Sequence, residues 1–235
     1  MEIIPLGDSA LIIRVGAEFE HDPEAVLHGV LETQRRVEAA AIPGILECAP
    51  AYDSVGVFFD PLRVSEASAH PDDIFEWLKG ELSRTISRPP SKDEVRTPPR
   101  LVEIPVCYEG GFAPDLPEVA RHTGLSPSEV VRRHAAPEYR VHCVGFVPGF
   151  PYLGGLPKEL ATPRRATPRL IVPPGSVGIG GAQTGIYPAS SPGGWNLIGR
   201  TPLKLFDAQI QPPALLSAGD RVRFRAITRE EFEKL

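Results

Sequence analysis

The sequence predicts an α+β protein of two domains, a mixed α+β domain followed by a β-barrel. Strand-like and helix-like periodicities alternate over the first 88 residues. A stretch rich in proline and charge follows. Glycine and proline then supply 21 of the 55 residues from 145 to 199, well above the usual share of roughly 12%. That density excludes a long helix and favours short strands.

The first domain, residues 1–88, begins with an apolar alternation at 9–15 that predicts a strand. Asp22-Pro23 opens an amphipathic helix and Pro43-Gly44 ends it. Residues 45–48 and 55–59 are predicted as strands, with Asp60-Pro61 as the turn after them, and residues 71–86 as a second helix. This order resembles a ferredoxin-like module.

A linker is predicted at residues 89–100. The wider segment 83–100 holds four prolines and seven charged residues without apolar periodicity. We therefore expect a domain boundary near residue 90.

The second domain, residues 101–235, opens with a strand at 101–108 and a helix at 114–123 that Gly124 closes. Ser126, Pro127 and Glu129 combine an N-cap, a first-turn proline and a capping-box glutamate, which predicts a helix over 127–135. Further strands are expected at 139–146, 203–206 and 222–226, and Thr228 caps a final helical turn. Apolar residues interleave with the turn formers between 145 and 199, which is typical of a small closed or half-closed barrel.

Composition narrows the class of function. The net charge of -5 and the pI of about 5.7 argue against a nucleic-acid binder. The N-terminus has no leader pattern and no window is apolar enough for a membrane span, so we expect a cytoplasmic protein. Cys48, Cys107 and Cys143 lack the spacing of a zinc site, and we predict buried thiols and no metal.

A cationic patch is predicted within the segment from Gly145 to Phe206. That segment holds six lysines and arginines and one acidic residue, Glu159, inside an acidic chain. Such a patch suits a carboxylate or phosphate ligand, although long cationic side chains can also simply solvate loops. Arg165 directly follows Arg164 and is expected to point elsewhere. The predicted substrate- or anion-binding residues are Arg164, Arg169, Gln183, Thr184, Tyr187, Arg200 and Lys204.

The glycine-rich run from Ser176 to Gly185 matches neither nucleotide-binding loop. A Walker loop needs lysine followed by serine or threonine after its last glycine, and Ile186-Tyr187 stands there instead. The dinucleotide spacing begins at Gly178 and Gly180 but breaks at Gln183. The backbone amides of these turns remain candidates for holding an oxyanion.

The glycine- and proline-rich segment from Gly145 to Phe206, called the rich segment below, has no histidine, cysteine or paired carboxylates. The sequence therefore identifies no catalytic residues. Either the chain only binds, or a second polypeptide completes the site. Aromatic residues among the turns are candidate interface anchors, and barrel core is the alternative. The predicted partner-contacting or pocket-lining residues are Phe146, Pro148, Gly149, Phe150, Tyr152, Trp195 and Asn196.

Several motifs carry a family resemblance. They include residues 145–157, 181–188 and 191–202 of the rich segment, and also Gly7 to Leu11, Ile42-Pro43-Gly44, and Pro114-Asp115-Leu116. Together they resemble the B component of the bacterial 5-oxoprolinase, a family also called KipI-like or allophanate hydrolase subunit 1.

The resemblance implies that the C-terminal barrel is cyclophilin-like. It also implies two partners, the C component (KipA-like, allophanate hydrolase subunit 2) and the A component (LamB/YcsF-like). With them the chain opens the ring of 5-oxoproline to give glutamate while ATP is hydrolysed. The resemblance leaves open which of the three polypeptides binds ATP.

Two alternatives follow from relatives of the same family: an inhibitor of a sensor histidine kinase, and a carboxyltransferase-like part of a urea carboxylase or allophanate hydrolase system. Because the sequence ends at Leu235 without a fused second module, we expect a separate subunit, which favours the oxoprolinase arrangement.

Overall fold

The computed structural model describes residues 1–16, 21–68, 73–89 and 98–235. Its contacts divide the chain into two compact units, Met1–Pro98 and Pro99–Leu235. Most of the predicted linker, residues 90–97, lies outside the described residues, so the linker stays a prediction.

In its described residues, the N-terminal unit combines one antiparallel sheet with three helices. The sheet order is β1-β2-β4-β3, and each neighbouring pair is antiparallel. Apolar faces of the sheet and of the helices form a single core cluster. The elements are β1 (Glu2–Pro5), β2 (Ala10–Arg14), α1 (Pro23–Ala39), β3 (Ile45–Ala51), β4 (Ser54–Phe59), α2 (Pro61–Ala67) and α3 (Ile74–Ser87).

The sequence predicted β2, α1, β3, β4 and α3 but neither β1 nor α2. Asp60-Pro61 was expected to be a turn, and instead it starts α2. The Asp60 carboxylate accepts the backbone N–H of Leu62 at 3.0 Å, and Pro61 occupies the first helical position, where its missing N–H costs nothing. The predicted start of α3 at 71–72 lies outside the described residues.

The C-terminal unit is a closed seven-stranded barrel, which confirms the predicted barrel. The strands run in the order β6-β13-β5-β12-β9-β10-β7, and the pairing of β6 with β7 closes the ring. Strands β8 and β11 form a separate two-stranded sheet. The elements are β5 (Leu101–Cys107), α4 (Leu116–Thr123), α5 (Pro127–Ala135), β6 (Glu138–Val144), β7 (Pro151–Gly154), β8 (Arg169–Val172), β9 (Ser176–Gly180), β10 (Gln183–Ile186), β11 (Ser191–Gly193), β12 (Asn196–Arg200), β13 (Arg221–Ile227) and α6 (Arg229–Lys234).

The helix ends of this unit follow local rules. Gly124 closes α4 with a φ of 71°, and the Ser126 hydroxyl accepts the N–H of Glu129 at 3.2 Å to start α5. Thr228 and Glu231 form a reciprocal capping box at α6. The predicted helix over 127–135 and the final helical turn are confirmed.

The predicted strand at 203–206 is wrong. Only Phe206 makes a bridge, to Ala214, and the Leu203 N–H donates to the neighbouring Thr201 hydroxyl at 3.2 Å. Leu205 is buried in the barrel core. The apolar alternation therefore reflects a loop that packs Leu205 into the core, and not a β-strand paired in a sheet.

Within the described part of the chain, no helix has both the length and the apolar character needed to cross a bilayer.

Candidate binding cleft

The C-terminal unit carries an open cleft with a volume of about 340 Å³. Its walls come from the loop before β7, the loop before β8, and β11 with the turn that follows it. Five of the eleven lining residues are aromatic, and two carry guanidinium groups. The cleft is lined by Phe146, Phe150, Tyr152, Arg164, Arg165, Pro168, Tyr187, Pro192, Gly193, Gly194 and Trp195.

The floor of the cleft is a cluster of rings packed edge to face. Phe150 is central, with its ring centroid 5.5 Å from Trp195 and 5.1 Å from Tyr187, at interplanar angles of 88° and 81°. Aromatic pairs favour this geometry because ring edges are positive and faces negative. Phe150, Tyr187 and Trp195 are buried. The ring cluster therefore forms a rigid floor.

Glycines permit this packing. A Cβ at Gly180 would lie 2.7 Å from the Trp195 indole, and one at Gly185 would lie 3.0 Å from the Phe150 ring. The glycine-rich run thus places β9 and β10 against aromatic rings. Its amides are not gathered around an open space: Gly181 donates its N–H to the Thr162 carbonyl at 2.8 Å, and β9 pairs with β10 and β12.

Arg164 is the exposed cation of the cleft. Its guanidinium carbon lies 5.9 Å from the centroid of the Trp195 ring, within cation–π range. No ion pair joins it to a carboxylate anywhere in the described ranges. Arg164 is therefore available to an anionic ligand.

Asp115 holds two other arginines. Its carboxylate accepts from Arg169 Nη1 at 2.8 Å and Nη2 at 2.7 Å, and from Arg165 Nη1 at 2.9 Å. It also accepts the backbone N–H of Leu197 at 2.7 Å. Asp115 occupies the N-cap of α4 without capping it through its side chain. Its charge is committed to the arginines.

The structure therefore separates the cations that the sequence grouped. Asp115 engages both Arg165 and Arg169; Arg165, expected to point elsewhere, also lines the cleft, whereas Arg169, expected to face a ligand, does not. The sequence analysis did not predict Asp115 as a site residue, because it precedes the rich segment. Its place in the Pro114-Asp115-Leu116 motif was the signal that could have identified it.

The remaining predicted anion-binding residues are dispersed. Lys204 pairs with Asp207 at 2.7 Å. Arg200 donates to the Pro174 carbonyl at 2.8 Å and lies over Phe112. Gln183 is half-buried at the start of β10 and is not part of the cleft lining. Of the predicted set, only Arg164 and Tyr187 line the cleft.

Thr184 belongs to a buried polar network instead. Its hydroxyl donates to the Gly178 carbonyl at 2.9 Å and therefore accepts from His134 Nε2 at 3.0 Å, which leaves His134 Nδ1 to accept from the Tyr108 hydroxyl at 2.9 Å. His134 is fully buried and stacks on Phe224, with ring centroids 4.6 Å apart. Burial lowers the pKa of His134 to about 3. The imidazole is thus a neutral part of the barrel core.

The predicted partner-contacting residues also divide. Phe146 and Pro148 are exposed and Tyr152 is half-buried, whereas Phe150, Trp195, Gly149 and Asn196 are buried. The Asn196 side chain donates to the Pro163 carbonyl at 2.8 Å, which fixes the chain just before Arg164.

An exposed apolar pair on β8 was not predicted. Leu170 and Ile171 have exposed fractions of 87% and 69%, although they belong to a strand. Successive strand side chains point to opposite faces, so both faces of the β8–β11 sheet are apolar at this point. Arg169 and Pro168 connect the pair to the Asp115 cluster and to the cleft wall.

The cleft lining offers binding groups without an acid–base pair. Burial raises the pKa of the Tyr152 and Tyr187 hydroxyls, which therefore stay protonated at neutral pH. No carboxylate, histidine or cysteine lines the cleft. In the described ranges no group of three or more His, Cys, Asp or Glu residues is placed to hold a metal ion.

Comparison with known protein families shows the family to which this chain belongs. The model of the carboxyltransferase domain, subdomain C and D, matches residues 1–216. The chain belongs to this family. The resemblance drawn from the motifs is confirmed, because curated relatives named as the B component of 5-oxoprolinase match across the chain. The protein from Bacillus subtilis (strain 168) is 45% identical over 234 residues, 98% of this chain and 95% of the relative. The protein from Escherichia coli O157:H7 is 46% identical over 199 residues, 83% of this chain and 86% of the relative.

Solved structures agree with the fold. TTHA0988 matches with a TM-score of 0.76 and 38% identity over 93% of this chain, and the match spans only 40% of TTHA0988. The urea amidolyase of K. lactis matches with a TM-score of 0.76 over 99% of this chain and 15% of that chain, at 22% identity. The shared fold therefore occurs within longer polypeptides.

Proposed function

We propose that this chain is the B component of an ATP-dependent 5-oxoprolinase complex that hydrolyses 5-oxo-L-proline to L-glutamate. The observation that carries the proposal is the match to the Bacillus subtilis relative of that name, which extends over nearly the whole of both chains. The cleft is compatible with it, because an aromatic floor and the uncommitted Arg164 suit a small organic anion.

The missing acid–base groups support a shared site. Opening a lactam requires proton transfer to the leaving nitrogen and an activated nucleophile. The lining of this cleft supplies neither. We therefore propose that the chain is inactive alone, and that the KipA-like and LamB/YcsF-like partners complete the site and the use of ATP.

We propose that one of these partners covers Leu170, Ile171 and Phe146. Exposed apolar side chains on a rigid support commonly mark an interface. This surface borders the cleft, so a partner seated there would bring its own side chains to the mouth of the cleft.

The urea carboxylase alternative has less support. The curated urea amidolyase of Saccharomyces cerevisiae is 39% identical over 66 residues, 26% of this chain. The likeness to the K. lactis structure shows the fold alone.

We propose that the N-terminal unit is a ferredoxin-like module; its support is that β2 and β3 flank β4 and are joined through α1, a split β-α-β connection. We assign the C-terminal barrel to the cyclophilin-like type, and we expect the complex to work in the cytoplasm.

Reconstitution tests the function. The purified chain, its KipA-like and LamB/YcsF-like partners, and all pairwise and three-way mixtures are assayed for glutamate formed from 5-oxo-L-proline with ATP. We expect activity only in the complete mixture. Turnover by the chain alone would contradict the shared site, and an inactive complete mixture with an active Bacillus subtilis complex as control would contradict the function.

A further inference from the structure

The cationic side chains in and near the cleft differ in whether a protein group already pairs with them. Arg165 and Arg169 share the buried carboxylate of Asp115, and Lys204 shares that of Asp207. Arg200 donates to a backbone carbonyl away from the cleft. Arg164 is thus the one uncommitted cation among the described residues that line the cleft. One guanidinium matches one carboxylate.

The backbone amides add no second anion site at the glycine-rich run. Triphosphates are held by several cations together with amides turned towards the phosphates. Here Gly181 N–H is bound to Thr162, and the β9 and β10 amides serve the barrel ladder. The Trp195 ring also packs against Gly180 and closes the approach from that side.

The size and walls of the cleft point to a compact ligand. Its volume of about 340 Å³ lies at the low end of ligand pockets, which run from roughly 300 to 1,000 Å³. The exposed Phe146 ring and the half-buried Tyr152 side chain offer apolar surface beside Arg164, and the largely buried Trp195 ring forms part of the floor. A small ring with one carboxylate would place its ring against this surface and its carboxylate at the guanidinium.

We infer that this cleft binds a small ring carboxylate through Arg164 and the aromatic side chains beside it, and that it does not bind the nucleotide triphosphate. The inference rests on the proposed function for the identity of the ring, which is then the lactam of 5-oxoproline. It assigns nucleotide binding to another polypeptide of the complex.

Trp195 provides the readout. The chain has two tryptophans, and the other, Trp77, lies on α3 of the N-terminal unit. In full-length Trp77→Phe protein, emission reports on the cleft. Four ligands are compared. 5-Oxo-L-proline and ATP are the substrates of the proposed reaction. Cyclopentanecarboxylate has the ring and the carboxylate but no lactam, and pyrrolidin-2-one has the lactam but no carboxylate. Variants are Arg164→Gln and, as a control for net charge, exposed Lys158→Gln.

We expect both ring carboxylates to change Trp195 emission with saturation and to bind about tenfold more weakly to Arg164→Gln, while Lys158→Gln binds as the parent protein does. Pyrrolidin-2-one should bind at least tenfold more weakly, and ATP should not displace the ring carboxylate. Displacement by ATP, equal binding to Arg164→Gln, or no response to either ring carboxylate would overturn the inference.

The complex is assayed in parallel so that the two proposals fail separately. Glutamate formation by the complete mixture without a cleft response overturns the ring-carboxylate site and leaves the function. A cleft response that depends on Arg164, in a chain that forms no active complex, supports the site and overturns the assignment of 5-oxoprolinase.

Discussion

Asp115 and Leu197 are joined by two reciprocal hydrogen bonds. The Asp115 N–H donates to the Leu197 carbonyl at 2.9 Å, and the Leu197 N–H donates to the Asp115 carboxylate at 2.7 Å. The same carboxylate holds Arg165 and Arg169. One residue before α4 thus fixes β12 to the segment that forms the cleft wall.

Replacing Asp115 should destabilise the C-terminal unit. Asp115→Ala leaves two guanidinium groups and the Leu197 N–H without their acceptor, and removal of one member of a buried ion cluster costs about 3 kcal/mol or more. Because Arg165 and Arg169 are partly exposed, water offsets some of this cost. Urea unfolding measures the loss. Lys204→Ala, which removes the exposed cation of the pair with Asp207, is the control and should change the free energy of unfolding by under about 1 kcal/mol.

Gly180 should not tolerate a methyl group. In Gly180→Ala the new Cβ would meet the Trp195 indole at 2.7 Å, so the ring must shift, at a cost of about 1–3 kcal/mol. Trp195 emission should change even without ligand. Gly111→Ala is the matched control, since a Cβ there meets nothing within 4 Å. Unchanged emission and melting temperature in Gly180→Ala would contradict the close packing of β9 against the Trp195 ring.

His134 predicts a specific pH dependence. Burial lowers its pKa to about 3 from 6.5. Between these values the unfolded chain binds a proton that the folded chain does not, so stability falls as pH drops below 6.5, by about 1.4 kcal/mol per unit. At pH 5 the loss is about 2 kcal/mol. His134→Gln should remove this part of the pH dependence, whereas exposed His122→Gln should retain it.

Urea unfolding of the parent and both variants at several pH values supplies the comparison. If the stability of His134→Gln fell between pH 7 and 5 as steeply as that of the parent, the buried neutral imidazole would be contradicted.

Leu170 and Ile171 should matter for assembly and not for folding. Leu170→Ser with Ile171→Ser removes exposed apolar surface, so the melting temperature should stay near that of the parent, while co-purification with the partner weakens by about tenfold or more. Phe150→Ala serves as the contrast: because Phe150 is buried, it should lose about 3–5 kcal/mol of stability. Normal assembly of the double serine variant would place the interface elsewhere.

Local signals accounted for much of the fold. Gly124, Ser126 and Thr228 determine helix ends through their own backbone and side-chain bonds, and neighbours alone suffice to predict them. Strand β1 was missed because four residues ending in proline carry little pattern. Helix α2 was missed because an aspartate followed by proline begins both turns and helices.

The arrangement of the cleft could not be predicted from local sequence pattern, because it depends on contacts between residues far apart in the chain. Arg165 and Arg169 have similar sequence contexts. Both bind Asp115, which lies 50 and 54 residues earlier in the chain, and only Arg165 also lines the cleft. Thr184 looked like a polar group beside glycine turns, yet its partner His134 lies 50 residues earlier. Such pairings follow from barrel closure, which local pattern does not contain.

The most direct test compares Michaelis constants in the complete complex. Arg164→Lys keeps the charge but loses the planar fork. We predict that the KM for 5-oxo-L-proline rises about tenfold, while the KM for ATP stays at the parent value. A rise in the KM for ATP with an unchanged KM for 5-oxo-L-proline would contradict the account and assign the nucleotide to this cleft.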